Sequence, residues 1–339
     1  MPMNDRKYVL GIDTSNYTTS AAVTDDSGRI ISDERRMLSV KKGERGLRQQ
    51  EALFQHISEI DDIIEKALHG IDRTRLAGVA YSERPRPVEG SYMPVFKAGK
   101  TAAGIIASAL QIPCMAFSHQ EGHVEAARHG GLLEDEDEFL CWHLSGGTCE
   151  LLRVKCENGI PSEIEIIGGT KDISFGQLID RTGVALGIGF PCGRELDSMT
   201  LRAGTKEPLK GLFTRIKCID DSAFFNVTGT ETQMLRFIEG NGYDRDDIPE
   251  QAVYTLFDTI AECIFSATAR ASDSCGISSV LFSGGVASST TLKEMLLDPD
   301  RRYGRNKGAK DLKLYFGDAS LSSDNAAGIS LLGGKRLWR

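Results

Sequence analysis

Apolar positions recur along the chain in two sets that share one plan. In the first set, Tyr8 to Ile12 and Ser20 to Val23 are short apolar runs, Asp25-Asp26-Ser27-Gly28 carries turn chemistry, and Arg29 to Met37 resumes as a strand. Leu53, Ile57, Ile60, Ile64 and Leu68 then follow at helical spacing. Leu76 to Tyr81 reads as a buried strand, Gly99 to Leu110 as a small-residue helix and Pro113 to Phe117 as another strand. The second set opens with a strand at Phe139 to Leu144, a tight turn at Ser145-Gly146-Gly147-Thr148 and a returning strand at Glu150 to Val154. A polar turn at Glu157-Asn158-Gly159 leads to Ile164 to Gly168. Leu256, Ile260, Ile264 and Ala267 mark the longest helix, Val280 to Phe282 and Leu312 to Phe316 read as strands, and the chain from Asp324 onward is small and helical. The pattern predicts a duplicated α/β lobe with a cleft between the copies, the boundary falling between residues 117 and 139. One large doubly wound sheet is the alternative.

Length agrees with two domains: the chain has 339 residues. Hydrophobic residues make up 40% and charged residues 26%, enough for two real cores. The net charge of −8 argues against a protein that wraps nucleic acid by itself. Glu134 to Glu138 reads as an acidic, solvated loop, and Arg301, Arg302, Arg305, Lys307, Lys310 and Lys313 form a basic stretch, a solvated face or a phosphate-backbone contact. The eight cysteines include no C-x-x-C pair, so reduced and mostly buried thiols are expected rather than a zinc ribbon. No apolar run approaches the ~20 residues of a membrane span. The opening Met1 to Ser15 segment has no signal-peptide character, so a cytoplasmic, membrane-free protein is expected.

Three turns after apolar strands are rich in Gly, Ser and Thr: Asp13-Thr14-Ser15, Ser145-Gly146-Gly147-Thr148 and Ser283-Gly284-Gly285. Small residues let backbone N–H groups approach a phosphate, and hydroxyls add donors. No P-loop and no G-x-G-x-x-G after the first strand is present. His119 and His123 stand four apart, which on a helix puts both imidazoles on one face at metal-ligand spacing. Glu121 is two residues after the first His, so this is not the zincin H-E-x-x-H. Asp324 is a candidate third ligand or a plain helix N-cap. Asp180 and Asp197 are single carboxylates, either surface groups or partners for a ribose.

Together these motifs resemble the glycoprotease-like threonylcarbamoyl transferases that modify tRNA adenosine, once described as O-sialoglycoprotein endopeptidases. The resemblance spans nearly the whole chain: GIDTS at Gly11 to Ser15, SHQEGH at Ser118 to His123, LSGGT at Leu144 to Thr148, FGQLIDRTGVALGIGFPCG at Phe175 to Gly193, FNVTG at Phe225 to Gly229, FSGGVASS at Phe282 to Ser289 and SSDNAAG at Ser322 to Gly328. It implies an actin-like ATPase fold of two ribonuclease H-like lobes, with lobes at 1–118 and 119–320 and a C-terminal helix at 321–339 packing back on the first. It implies a divalent metal, iron or zinc, on His119, His123 and Asp324, and ATP or an acyl-adenylate in the cleft. Ser15, Ser145, Gly146, Gly147, Asp180, Gly193, Gly284, Gly285 and Ser289 would contact the nucleotide. It further implies tRNA as a substrate reached through a multi-protein complex, and a homologous actin-like subunit as partner.

Several positions depart from that pattern. Where the family carries Cys, an acidic pair and Thr, this chain has Asn16, Tyr17, Thr18 and Thr19. The family's Gly-Pro-Gly loop is replaced by Arg84-Pro85-Arg86-Pro87, its Gly-Gly-His-Thr turn by Gly146-Gly147-Thr148-Cys149, and its adenine-side Asn by Ser289. A divergent transferase, a nucleotide-binding paralogue acting through partners, and another actin-like carbamoyltransferase or kinase are the three functions these residues allow.

Overall fold

The computed structural model describes residues 7–15, 17–40, 47–204, 206–298 and 312–338. Arg301 to Lys310 of the basic stretch and Asn16 of the first turn lie outside them. The chain forms two compact units, one of residues 1–137, 155–164 and 320–339, the other of 138–154 and 165–319. The first unit therefore runs past residue 118.

In the first unit, β1 (Tyr8–Asp13), β2 (Thr18–Asp25) and β3 (Ile30–Met37) make an antiparallel meander. β4 (Leu76–Arg84) and β5 (Cys114–Ser118) add in parallel, giving the order β3-β2-β1-β4-β5. Alternation along the central strands sends Leu10, Ile12, Val79 and Tyr81 to one face, against Ile63 of α1 (Gln49–Ala67) and Ala103 and Ala107 of α2 (Phe96–Leu110). Val9, Ala80, Met115 and Phe117 face the other way, against Ile329 and Leu332 of the C-terminal helix α9 (Ala327–Trp338). Ser330 ties that helix to the sheet: its hydroxyl donates to the Val9 carbonyl at 2.8 Å, across 321 residues of sequence.

The second unit repeats the plan. β6 (Glu138–Leu144), β7 (Cys149–Glu157) and β8 (Ile160–Thr170) are followed by β10 (Ser279–Ser283) and β11 (Lys313–Phe316), and the sheet order is β11-β10-β6-β7-β8-β9. Leaving out the short edge strand β9 (Ala223–Phe225), this is the order of the first sheet. Two sheets of one plan overturn the alternative of a single doubly wound sheet. The core is built on α7 (Glu250–Cys275), whose Leu256, Phe257, Ile260 and Ile264 are buried with Trp142, Phe175 and Phe225. α4 (Phe175–Ala185) and α5 (Gly193–Arg202) pack beside it.

Asp172 holds the start of α6 (Thr228–Asn241) from outside that helix. Its carboxylate accepts from the Val227 and Thr228 amides at 2.8 and 3.0 Å and from the Thr170 hydroxyl at 2.8 Å. Burial opposes the charge, but these donors win and hold the Asp172 pKa at about 2, below its ordinary 3.8. A depressed pKa contributes stability that is complete above the ordinary value and fades as pH falls toward 2. Asp172→Ala is expected to cost about 1 kcal/mol at pH 7. In urea melts the gap between variant and wild type should close near pH 2; a gap that persists there would contradict this role.

All eight cysteines are free, five of them buried. Among the described residues no helix is long and apolar enough to cross a membrane.

Candidate metal centre and phosphate turns

Ser118 ends β5 and starts α3 (His119–Arg128) with a reciprocal cap. Its hydroxyl accepts from the Glu121 amide at 3.2 Å, and the Glu121 carboxylate accepts from the Ser118 amide at 2.5 Å. Glu121 is thus spent on the helix start and is not placed as a base. The cap fixes His119 and His123 one turn apart on α3, with Nε2 atoms 2.9 Å from each other.

Asp324 arrives from the turn before α9. Its Oδ1 lies 3.6 Å from His119 Nε2 and 3.3 Å from His123 Nε2. Its neighbour serves the start of α9: Asn325 Oδ1 accepts from the Ala327 amide at 3.0 Å. Close helix contact makes the meeting possible. A Cβ on Gly328 would sit 1.9 Å from the Gly122 carbonyl oxygen, so α3 and α9 touch backbone to backbone.

Three donor atoms therefore stand 2.9, 3.3 and 3.6 Å apart. An ion bonded at about 2.0–2.2 Å holds neighbouring N and O donors roughly 2.8–3.6 Å apart, so the trio fits a divalent metal. Two imidazoles and a carboxylate suit zinc and iron alike. Sequence reading missed the residue behind them. Asp13, fully buried at the end of β1, places Oδ2 2.8 Å from His119 Nδ1. In the Nδ1–H tautomer this bond aims the Nε2 lone pair at His123 and Asp324. Burial alone would push the His119 imidazolium pKa down; the Asp13 carboxylate, by charge and hydrogen bond, and then Asp324 outweigh it and lift the value to about 9. Burial also works against the Asp13 charge, and His119 reverses that, holding the carboxyl below its ordinary range. The signal in the sequence was a carboxylate ending an otherwise apolar strand.

The Gly- and hydroxyl-rich turns divide into exposed and structural positions. Ser145 shapes its own turn, accepting from the Thr148 amide at 3.0 Å, while Gly146 and Gly147 have open space where a Cβ would go. Gly284 differs: its φ is +93° and a Cβ would sit 2.3 Å from the Leu144 carbonyl oxygen, whereas Gly285 is open. Asp180 accepts from the Cys192 amide at 2.8 Å, pinning the loop that ends at Gly193, and burial raises its pKa against that bond. Ser289 is the N-cap of α8 (Thr290–Leu297) and donates to Asp197 at 2.7 Å. Asp197 also accepts from the Thr290 and Thr291 amides, each at 3.0 Å. Ser15 is buried, its amide bonded to Asp13 Oδ1 at 2.7 Å and its hydroxyl unpartnered.

Known proteins align along this whole arrangement. The tRNA N6-adenosine threonylcarbamoyltransferase of Syntrophobacter fumaroxidans is 28% identical over 98% of this chain and 94% of its own length. That of Bacillus subtilis is 27% identical over 98% and 91%. Among solved structures, component A of (R)-2-hydroxyglutaryl-CoA dehydratase from Acidaminococcus fermentans superposes with a TM-score of 0.55 at 13% identity, over 98% of this chain and all of that one. HypF from T. kodakarensis gives 0.57 at 12%, over 98% of this chain and 48% of its own. These similarities establish the actin-like α/β fold. Residues 33–331 match the family described as TsaD, tRNA N6-adenosine threonylcarbamoyltransferase, and with the relatives aligned end to end the chain belongs to that transferase family.

Proposed function

We propose that this chain binds a divalent metal, iron or zinc, at His119, His123 and Asp324 and an acyl-adenylate at its Gly-rich turns, and that it serves the transfer of a threonylcarbamoyl group from the adenylate to tRNA adenosine. The observation that carries this reading is the convergence of two helix-borne imidazoles and the Asp324 carboxylate within metal-bonding distances. When bound, the metal supplies Lewis-acid polarisation and a template for the acyl group. The residues around it do the rest: Asp13 fixes the His119 tautomer, Glu121 fixes the helix start, and the Gly122–Gly328 contact holds Asp324 in place. The acceptor tRNA would be reached in a multi-protein cytoplasmic complex, in which a homologous actin-like subunit is the expected partner.

The open turn offers a clean test of the nucleotide. Gly147→Val is expected to weaken binding of an acyl-adenylate analogue in calorimetry by roughly 10-fold or more, with melting unchanged, because the side chain fills space meant for phosphate. Unchanged affinity would remove the turn from the site. Gly284→Val is unsuitable, since the clash with the Leu144 carbonyl would unfold the turn first.

One observation favours a weakened enzyme. Where the family places an acidic pair, Tyr17 and Thr18 bring no carboxylate, and the Thr19 hydroxyl beside them is buried on the His56 imidazole at 2.8 Å. Losing a positioned acid–base group costs on the order of 100- to 10,000-fold in rate. With donor adenylate supplied, this chain alone should transfer to tRNA weakly, and the double variant Tyr17→Asp, Thr18→Glu should be faster. Robust turnover by the unaltered chain, at the rate of a relative carrying the acidic pair, would show that the substitution does not matter.

A further inference from the structure

The rim where β1 and β4 end holds three polar atoms that no described residue satisfies. The Ser15 and Ser82 hydroxyls and the Arg84 Nε are all buried without a hydrogen-bond partner. Both serines are almost wholly buried, and the Arg84 guanidinium makes no ion pair or hydrogen bond with any described residue. Buried polar atoms are paired in more than about nine cases in ten, so three orphans along one rim call for an explanation.

Their place in the sheet ties them to the metal centre. β1 and β4 run parallel with Ile12 beside Tyr81, which brings Ser82 level with Asp13. β4 then bulges, and Arg84 pairs across from Ser118, the residue just before His119. The contact continues past the strand: the Gln120 amide of α3 donates to the Pro85 carbonyl at 3.0 Å. Arg84 thus stands one strand spacing, about 4.8 Å, from the chain that carries the first histidine. Ligands of α/β sheets bind at such carboxyl ends of strands.

The chemistry of the orphans is one-sided. A guanidinium only donates, and hydroxyls donate readily, so what completes them is a group that only accepts. The carboxylates nearby are already engaged, Asp13 on His119 and Asp324 between the two histidines. The Arg84 charge therefore has no counter-ion among the described residues. Its fork matches a carboxylate with two parallel N–H···O bonds. The Gly-Pro-Gly loop of the resemblance has no side chain to offer there, whereas this chain supplies Arg84.

We propose that Arg84, assisted by the Ser82 and Ser15 hydroxyls, is a carboxylate-binding site beside the metal centre, and that its ligand is the carboxylate of the transferred acyl group. This rests on the reading of an acyl-adenylate as donor and names the part of it that this chain recognises. Arg84 touches the substrate but takes no part in bond making.

The test is calorimetry on the metal-loaded full chain, wild type and Arg84→Ala, with four probes. These are a non-hydrolysable threonylcarbamoyl-adenylate analogue, the same analogue without its carboxylate, N-carbamoyl-threonine, and orthophosphate. Arg84→Ala should weaken the full analogue roughly 10- to 100-fold and leave the decarboxylated one unchanged. Arg84→Lys, which keeps the charge and loses the fork, should fall between. Because no protein partner is lost, both variants should melt no lower than wild type; equal weakening of both analogues, or of neither, overturns the site. Loss of orthophosphate binding with the two analogues affected alike assigns the group to phosphate instead and overturns the carboxylate assignment. If wild type binds neither adenylate but binds N-carbamoyl-threonine through Arg84, the donor reading falls and the carboxylate site stands.

Discussion

His119→Ala purified from metal-replete medium should carry less than about a tenth of the metal of wild type. Among the described residues three side chains converge on the centre, so removing one leaves two of those donors; even loss of an outer hydrogen bond to a ligand typically costs 10- to 100-fold in metal affinity. The same logic grades the variants. Asp324→Ala should match His119→Ala, and Asp13→Asn should show an intermediate loss, because the imidazole stays but its tautomer is no longer fixed by a carboxylate. Asp180→Asn is the control and should keep full metal, since Asp180 is committed to the Cys192 amide. Elemental analysis of the four variants beside wild type is the measurement. Wild-type metal content in His119→Ala would refute the centre.

Gly328→Ala should lower stability by about 3 kcal/mol, at the top of the range for overpacking a close contact. The added methyl would meet the Gly122 carbonyl at 1.9 Å and its carbon at 2.7 Å, and backbone cannot rotate away as a side chain can. α9 must shift outward, and its Ile329 and Leu332 then lose their fit on Val9, Ala80, Met115 and Phe117. For a unit of this size, thermal midpoints should fall by roughly 10 °C. The shift also carries Asp324 away from the histidines, so metal should be lost along with stability. A variant that melts within about 2 °C of wild type and keeps its metal would show that the two helices have room to separate.

The sequence made the repeated lobes legible because strand alternation and helical spacing are local signals. Leu53, Ile57, Ile60, Ile64 and Leu68 mark one helix whatever surrounds them, and the Gly- and Ser-rich turns stand where strands stop. The His pair was legible for the same reason, as two residues one helical turn apart. Asp324 was legible only as a choice between ligand and cap. The choice depends on which of two neighbours reaches the Ala327 amide, a matter of side-chain geometry, and Asn325 reaches it. Ser289 and Asp197, both read as possible ligand contacts, are joined to each other at the start of α8, which no spacing in the sequence announced. Asp13 escaped notice because its partner is 106 residues away, beyond any pattern of spacing.

The bond from Ser330 to Val9 joins a strand made early in synthesis to a helix made 321 residues later. Until that helix emerges, Val9, Ala80, Met115 and Phe117 lack the Ile329 and Leu332 side chains that cover their side of the first sheet. The residues of the second unit all come before α9. The first unit therefore cannot complete its packing before the second has been synthesised, unlike a domain whose residues are contiguous and which can fold before its successor. One apolar face of its sheet then waits for α9 through most of translation, the period in which a nascent chain most needs protection from aggregation.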